Sequence, residues 1–143
     1  MLGKVESVKV PSQYVLCYKS NCRRAGECLR YQATSYVSEE CSVVRVVNPS
    51  IISSEEGCEQ FKACRVLKYA YGMTDVLDRL PYRTAKDVRH CLLEHFGKTH
   101  FYRLMRKQRC FKPDDQAYVE MVFRKFEIAS ELIFDSYQLD YEW

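Results

Sequence analysis

Tyr14-Val-Leu-Cys-Tyr-Lys-Ser-Asn-Cys-Arg-Arg-Ala-Gly-Glu-Cys28 brings three cysteines, Cys17, Cys22 and Cys28, into a dozen residues, and a fourth, Cys58, follows Gly57 further along. Four thiolates can close around one metal ion. The reading of this stretch therefore decides whether the front of the chain is a metal-organised module or a domain rich in cysteine for packing alone. Pro11 and Ser12 mark an entry turn, and Lys19-Ser20-Asn21 supplies turn chemistry that lets Cys17 and Cys22 face each other. Over residues 23–37, Ala25, Cys28, Leu29, Gln32 and Ala33 recur three or four apart, which predicts a helix with Cys28 in its first turns.

Residues 42–47, Ser-Val-Val-Arg-Val-Val, are β-branched and stop at Asn48-Pro49, which predicts a strand. The imperfect alternation suits a strand covered on both faces. The polar run 53–57 then reads as the turn that delivers Cys58.

The second half reads as helical. Thr84 with Asp87 resembles a capping box ahead of Val88, Cys91, Leu92 and Phe96, and Gly97 stops that helix. Pro113-Asp-Asp-Gln opens another, with Tyr118, Met121, Val122 and Phe126 on one face and acids at its positive end. Ser130 is read as the cap of a third, over residues 131–139. Residues 101–111 fit neither period. The expected fold class is α+β, predominantly helical: a small cysteine-rich N-terminal part with one or two short strands, packed on a C-terminal helical part.

A chain of 143 residues suits one domain, here divided into an arm (1–12), a cysteine-rich part (13–65) and a helical part (66–143). Hydrophobic residues make up 47% of it, enough for an ordinary core. No apolar run approaches the ~20 residues of a membrane helix. The opening residues lack the order of a secretory signal, so the expected location is the cytoplasm. There the eight cysteines would be thiols or metal thiolates rather than disulfides. The net charge of +3 hides an uneven layout: bases outnumber acids over residues 79–125, and only acids follow from Glu127 onward. Internal pairing of the two is the expected outcome.

The spacing C-x4-C-x5-C is looser than the common zinc pairs and misses the plant-type iron–sulfur spacing. Metal binding requires convergence in space rather than one spacing. The candidate ligands are thus Cys17, Cys22, Cys28 and Cys58, with zinc as the cofactor, an iron–sulfur cluster as the close variant, and buried reduced thiols as the alternative. Cys91 is expected in the core, Cys41 and Cys110 at packing positions, and Cys64 is the reserve ligand. A cysteine nucleophile would need a base, and His90, His95 and His100 show no suggestive partner beyond Glu94. Walker, dinucleotide and serine-hydrolase motifs are absent, and the chain reads as non-catalytic. Arg103, Arg106, Lys107 and Arg109 interleave with Phe101, Tyr102 and Phe111, a mixture of phosphate contacts and stacking platforms that makes nucleic acid a candidate partner. The same mixture describes an ordinary amphipathic element.

Tyr14-Val-Leu-Cys17, Cys22, Ala25, Cys28-Leu-Arg30, Asn48-Pro49, Gly57-Cys58, Phe61, Tyr71-Gly-Met-Thr-Asp75, His95-Phe-Gly97, Phe101-Tyr-Arg103, Pro113-Asp-Asp-Gln116 and Tyr141-Glu-Trp143 resemble an uncharacterised family of small bacterial proteins, mostly from gut Bacteroides relatives. The resemblance implies a domain of unknown function in which Cys17, Cys22, Cys28 and Cys58 recur. Cys41, Cys64, Cys91 and Cys110 depart from that pattern. The reading is a metal-stabilised interaction or regulatory protein with a protein partner and no membrane attachment. The alternatives are a nucleic-acid-binding regulator and an iron–sulfur or thiol redox protein.

Overall fold

Pro113 fixes a helical φ where no N–H donor is needed, and Asp115 accepts the backbone N–H of Lys112 at 3.0 Å, so a helix starts here. In the computed structural model, which describes residues 5–52, 57–129, 131 and 133–143, this helix runs Pro113–Lys125. The element order is β1 (Val15–Leu16), α1 (Leu29–Gln32), β2 (Arg45–Val46), β3 (Val66–Tyr71), α2 (Thr74–Arg79), α3 (Tyr82–Phe96), α4 (Lys98–Met105), α5 (Pro113–Lys125) and β4 (Ser136–Tyr141). The class is α+β. No helix among the described residues is long and apolar enough to cross a membrane.

The chain forms two compact units, Met1–Val66 with Asp140–Trp143, and Leu67–Leu139. In the second unit α2 to α5 enclose a core whose fully buried members include Met73, Leu77, Val88, Leu92, Leu104, Phe111, Val119 and Phe123. Their recurrence three and four residues apart along α3 and α5 is the reason those segments are helices. Gln116 ties α5 down by donating from its amide to Lys68 O (2.7 Å) and Phe111 O (2.8 Å). Phe111 in turn exchanges backbone hydrogen bonds with Ala70.

Four expectations need correction. The helix over residues 23–37 is broken into 3₁₀ turns at Ala25–Glu27 and Ala33–Tyr36 around the short α1. Cys28 breaks it: its backbone is extended and bridges Ala63, and Leu29 N–H donates to Lys62 O at 2.6 Å. An isolated bridge to a distant part of the chain here takes backbone groups that a continuous helix would use. The strand over residues 42–47 shrinks to β2, parallel to β1, and both of its residues are exposed rather than covered. Thr84 lies inside α3, which starts two residues earlier after Pro81. The described residues of 131–139 contain no helix; Ser136–Tyr141 is strand β4, where Tyr137, Leu139 and Tyr141 alternate with polar residues in the two-residue period of a strand. Residues 101–111 resolve into the end of α4, a turn, and the bridge at Phe111. Residues 53–56 of the turn expected over 53–57, and the cap expected at Ser130, lie outside the described residues.

β3 and β4 form the second sheet. Asp135 N–H donates to Gly72 O and Glu142 N–H to Arg65 O, so the pairing runs antiparallel.

Candidate metal centre

In the N-terminal unit, β1 presents Cys17, whose N–H donates to Arg30 O at 3.0 Å. Beyond it the chain tightens into successive turns, Cys22 N–H to Lys19 O (3.4 Å), Ala25 N–H to Cys22 O (3.1 Å) and Cys28 N–H to Ala25 O (3.3 Å). These turns fold the 17–28 segment back over itself, as Ser20 and Asn21 suggested. On the far side, Gly57 holds φ +97, a conformation that a side chain disfavours, and so directs the chain into Cys58.

Three cations stitch these loops together. Arg30 donates to Val15 O and to Gln60 O, each at 2.8 Å, and so joins the strand that carries Cys17 to the loop that carries Cys58. Lys19 Nζ donates to Ile52 O at 3.0 Å. The Arg24 guanidinium lies 3.3 Å above the centre of the Phe61 ring.

The result is one cavity of about 20 Å³ lined by Cys17, Cys22, Cys28 and Cys58 together with Lys19, Arg24 and Arg30. Among the described residues no carboxylate lines it. That volume holds one water-sized body, since roughly 10–15 Å³ is the minimum for a single water. It has no room for an organic substrate. As the side chains stand, no three His, Cys, Asp or Glu residues among the described ones are gathered closely enough to hold a metal ion. The four sulfurs share a cavity without yet sharing a centre, and coordination would require them to draw inward.

The other cysteines lie elsewhere. Cys64, the reserve ligand, packs with Leu29, Tyr141, Tyr14 and Trp143 in a separate apolar cluster, where burial first and then nearby Cys28 push its thiol pKa up. Cys41, expected in packing, is exposed, and its thiol donates to Val43 O at 3.2 Å. Cys91 packs against the core of the second unit, as its helical position predicted. Cys110 lines a cleft in that unit with His100.

The histidines do not join the cysteine cavity. His90 pairs with Glu94 at 3.3 Å on an exposed face of α3, and His95 stacks on Tyr118 at 3.5 Å between ring centres. The basic segment is also divided. Phe101 and Phe111, two of its three candidate stacking rings, are core residues, leaving Tyr102 exposed. Lys107 is drawn to Asp135 at 3.8 Å, an internal pairing of the kind expected between the basic middle and the acidic end. Arg103 and Arg106 are solvent-facing, and Arg109 borders the Cys110 cleft. What the sequence reading missed is the set of cations on the thiol cavity. Arg24 and Arg30 stand beside Cys22 and Cys28 in the sequence, yet only the fold turns them toward the same space.

The chain belongs to a family of unknown function, DUF6078, whose model matches residues 1–143. No curated protein and no solved structure matches it. Membership agrees with the expected domain of unknown function and supplies no activity.

Proposed function

We propose that the protein is a non-catalytic interaction or regulatory protein whose N-terminal unit is organised by a zinc ion held by Cys17, Cys22, Cys28 and Cys58. The observation that carries this reading is that these four of the eight cysteines line one cavity with space for a single ion. The charge balance favours it as well. Four thiolates around a divalent ion carry a net charge of −2, and the side chains of Lys19, Arg24 and Arg30 line the cavity with no acid among its described lining residues. Four sulfur ligands fill a tetrahedral zinc and leave no position for water, so the ion stabilises the fold and does not activate a substrate. An iron–sulfur cluster would need a larger space than one ion, and it would colour the protein.

Metal analysis of protein purified under reducing conditions tests the reading. About one equivalent of zinc per chain is expected, lost in Cys17→Ser, Cys22→Ser, Cys28→Ser and Cys58→Ser and kept in Cys41→Ser and Cys91→Ser. Absence of a stoichiometric metal, together with thermal stability unchanged by a chelator, would refute it.

A further inference from the structure

Within the second unit, Tyr71, His100, Gln108, Arg109, Cys110, Lys112 and Asp115 surround a cleft of about 590 Å³. Its size falls in the range of small-ligand sites, about 300–1,000 Å³. The elements that build it are all fixed by the core: Ala70 and Phe111 are fully buried and hydrogen-bonded to each other, which sets Tyr71 beside Cys110. The turn after α4 is fixed too, because Gln108 and Arg109 N–H both donate to Arg103 O.

The cleft is electropositive for a reason legible in the chain. No acid occurs between Lys98 and Lys112, a stretch that includes Arg103, Arg106, Lys107 and Arg109. Lys107 is neutralised by Asp135, but Arg109 and Lys112 form no ion pair among the described residues. The one carboxylate on the cleft, Asp115, accepts the Lys112 backbone N–H and keeps its negative charge, so Arg109 and Lys112 together leave the lining with a surplus of one positive charge. Two cations without an ion-pair partner among the described residues, one carboxylate, an imidazole and the Gln108 amide thus line a concave space with one aromatic wall at Tyr71.

We infer that this cleft binds a small phosphate monoester of nucleotide size, with Arg109 and Lys112 holding the phosphate and Tyr71 bordering the organic part. Phosphate suits such a site because its oxygens accept several charge-assisted hydrogen bonds at once. A nucleic-acid strand suits it less, since Phe101 and Phe111 are core residues and Lys107 is paired, so the bases and rings do not form a continuous track.

Cys110, partly buried on the cleft wall, supplies a built-in reporter. Full-length protein is treated with iodoacetamide in the presence of increasing AMP, and alkylation of each cysteine is followed by peptide mass spectrometry. AMP is expected to slow modification of Cys110 saturably while leaving Cys41 unaffected, and inorganic phosphate to compete. The double variant Arg109→Glu, Lys112→Glu, verified as folded by circular dichroism, is expected to weaken AMP binding by more than about tenfold. Arg103→Glu with Arg106→Glu, outside the cleft, is expected to retain it. The inference fails if millimolar AMP does not protect Cys110, if inorganic phosphate does not compete, or if the Arg109, Lys112 variant is protected like the native chain. It also fails if a single-stranded oligonucleotide binds better than AMP and both double variants abolish that binding equally, which would indicate an extended track.

Discussion

Gly72→Ala probes a tight junction in the second unit. Gly72 sits at φ +66 between β3 and α2, and an added Cβ would collide with the Asp135 carboxylate and lie 2.8 Å from Lys107 Cε. The Lys107 stem can swing away. The carboxylate cannot do so freely, because its oxygens accept Thr74 N–H and Asp75 N–H, each at 3.2 Å, and its side chain is only 8% exposed. Two costs follow. A left-handed alanine costs about 1–2 kcal/mol, and displacing a carboxylate that caps a helix start costs about 1 kcal/mol more. The expected total is about 2–3 kcal/mol. Asp135→Ala alone should cost about 1 kcal/mol through the lost cap. In that background Gly72→Ala should retain only its backbone cost, giving a coupling near 1 kcal/mol. Urea unfolding followed by far-UV circular dichroism is the assay, because α2 to α5 all belong to this unit. A Gly72→Ala effect below about 0.5 kcal/mol, or strict additivity with Asp135→Ala, would refute the reasoning.

In the N-terminal unit the hydroxyl of Tyr14 is buried with no hydrogen-bond partner among the described residues, so Tyr14→Phe should leave stability unchanged or raise it by up to about 1 kcal/mol, measured by urea unfolding on the fluorescence of Trp143, whose ring lies 5.1 Å away. The same phenol is pushed up from 10.0 to about 12, chiefly by burial, with Arg30 opposing and Cys28 and Cys64 adding to the rise. The unfolded phenol ionises first, so this contribution to stability is whole below pH 10 and disappears as pH rises through about 12; in Tyr14→Phe the unfolding curves over that window should lose this slope. Arg30→Met removes both bonds that join the Cys17 strand to the Cys58 loop and should cost about 2 kcal/mol on the Trp143 signal, with an unchanged Trp143 unfolding midpoint counting as failure. Phe111→Ala empties a fully buried position of the second unit and should cost about 3–5 kcal/mol by far-UV circular dichroism, a loss under 1 kcal/mol arguing against its place in the core.

The parts of the fold that were legible in the sequence carry their own local instructions. Pro113 and Asp115 start α5 whatever surrounds them, and Gly97, at φ +77, stops α3. Where the reading went astray, a distant partner overruled the local pattern. Residues 23–37 have helical periodicity, but the bridge from Cys28 to Ala63 claims backbone groups that a helix would use, and nothing near Cys28 announces Ala63. β3 was not anticipated, because Val66-Leu-Lys-Tyr-Ala-Tyr71 has no bounding turn as clear as Asn48-Pro49. Residues 131–139 illustrate the reverse error: Glu131 and the apolar residues after it suit a helix, yet Ser136–Tyr141 pairs with β3, and a partner strand outweighs weak propensity.

For the candidate site, the grouping of the four cysteines that line one cavity was legible in the sequence, and the side chains around them were not. Cys17, Cys22 and Cys28 are close in sequence, so any set of tight turns brings them near one another, and Cys58 follows a glycine that favours a turn. The cations require long-range geometry. Arg30 reaches the cavity only because the Cys28–Ala63 bridge places it between Val15 O and Gln60 O, and Lys19 only because it reaches Ile52 O. This arrangement makes the charge argument testable apart from the ligands. If Lys19, Arg24 and Arg30 offset a doubly negative tetrathiolate centre, Arg24→Gln should keep the metal stoichiometry but weaken retention against a competing chelator by about tenfold, the scale on which outer partners act on metal affinity. If they only brace the loops, Arg24→Gln should lower stability equally with and without chelator. Titration of zinc retention against a chelator series separates the two, and identical retention in the variant and the native chain would remove the electrostatic role.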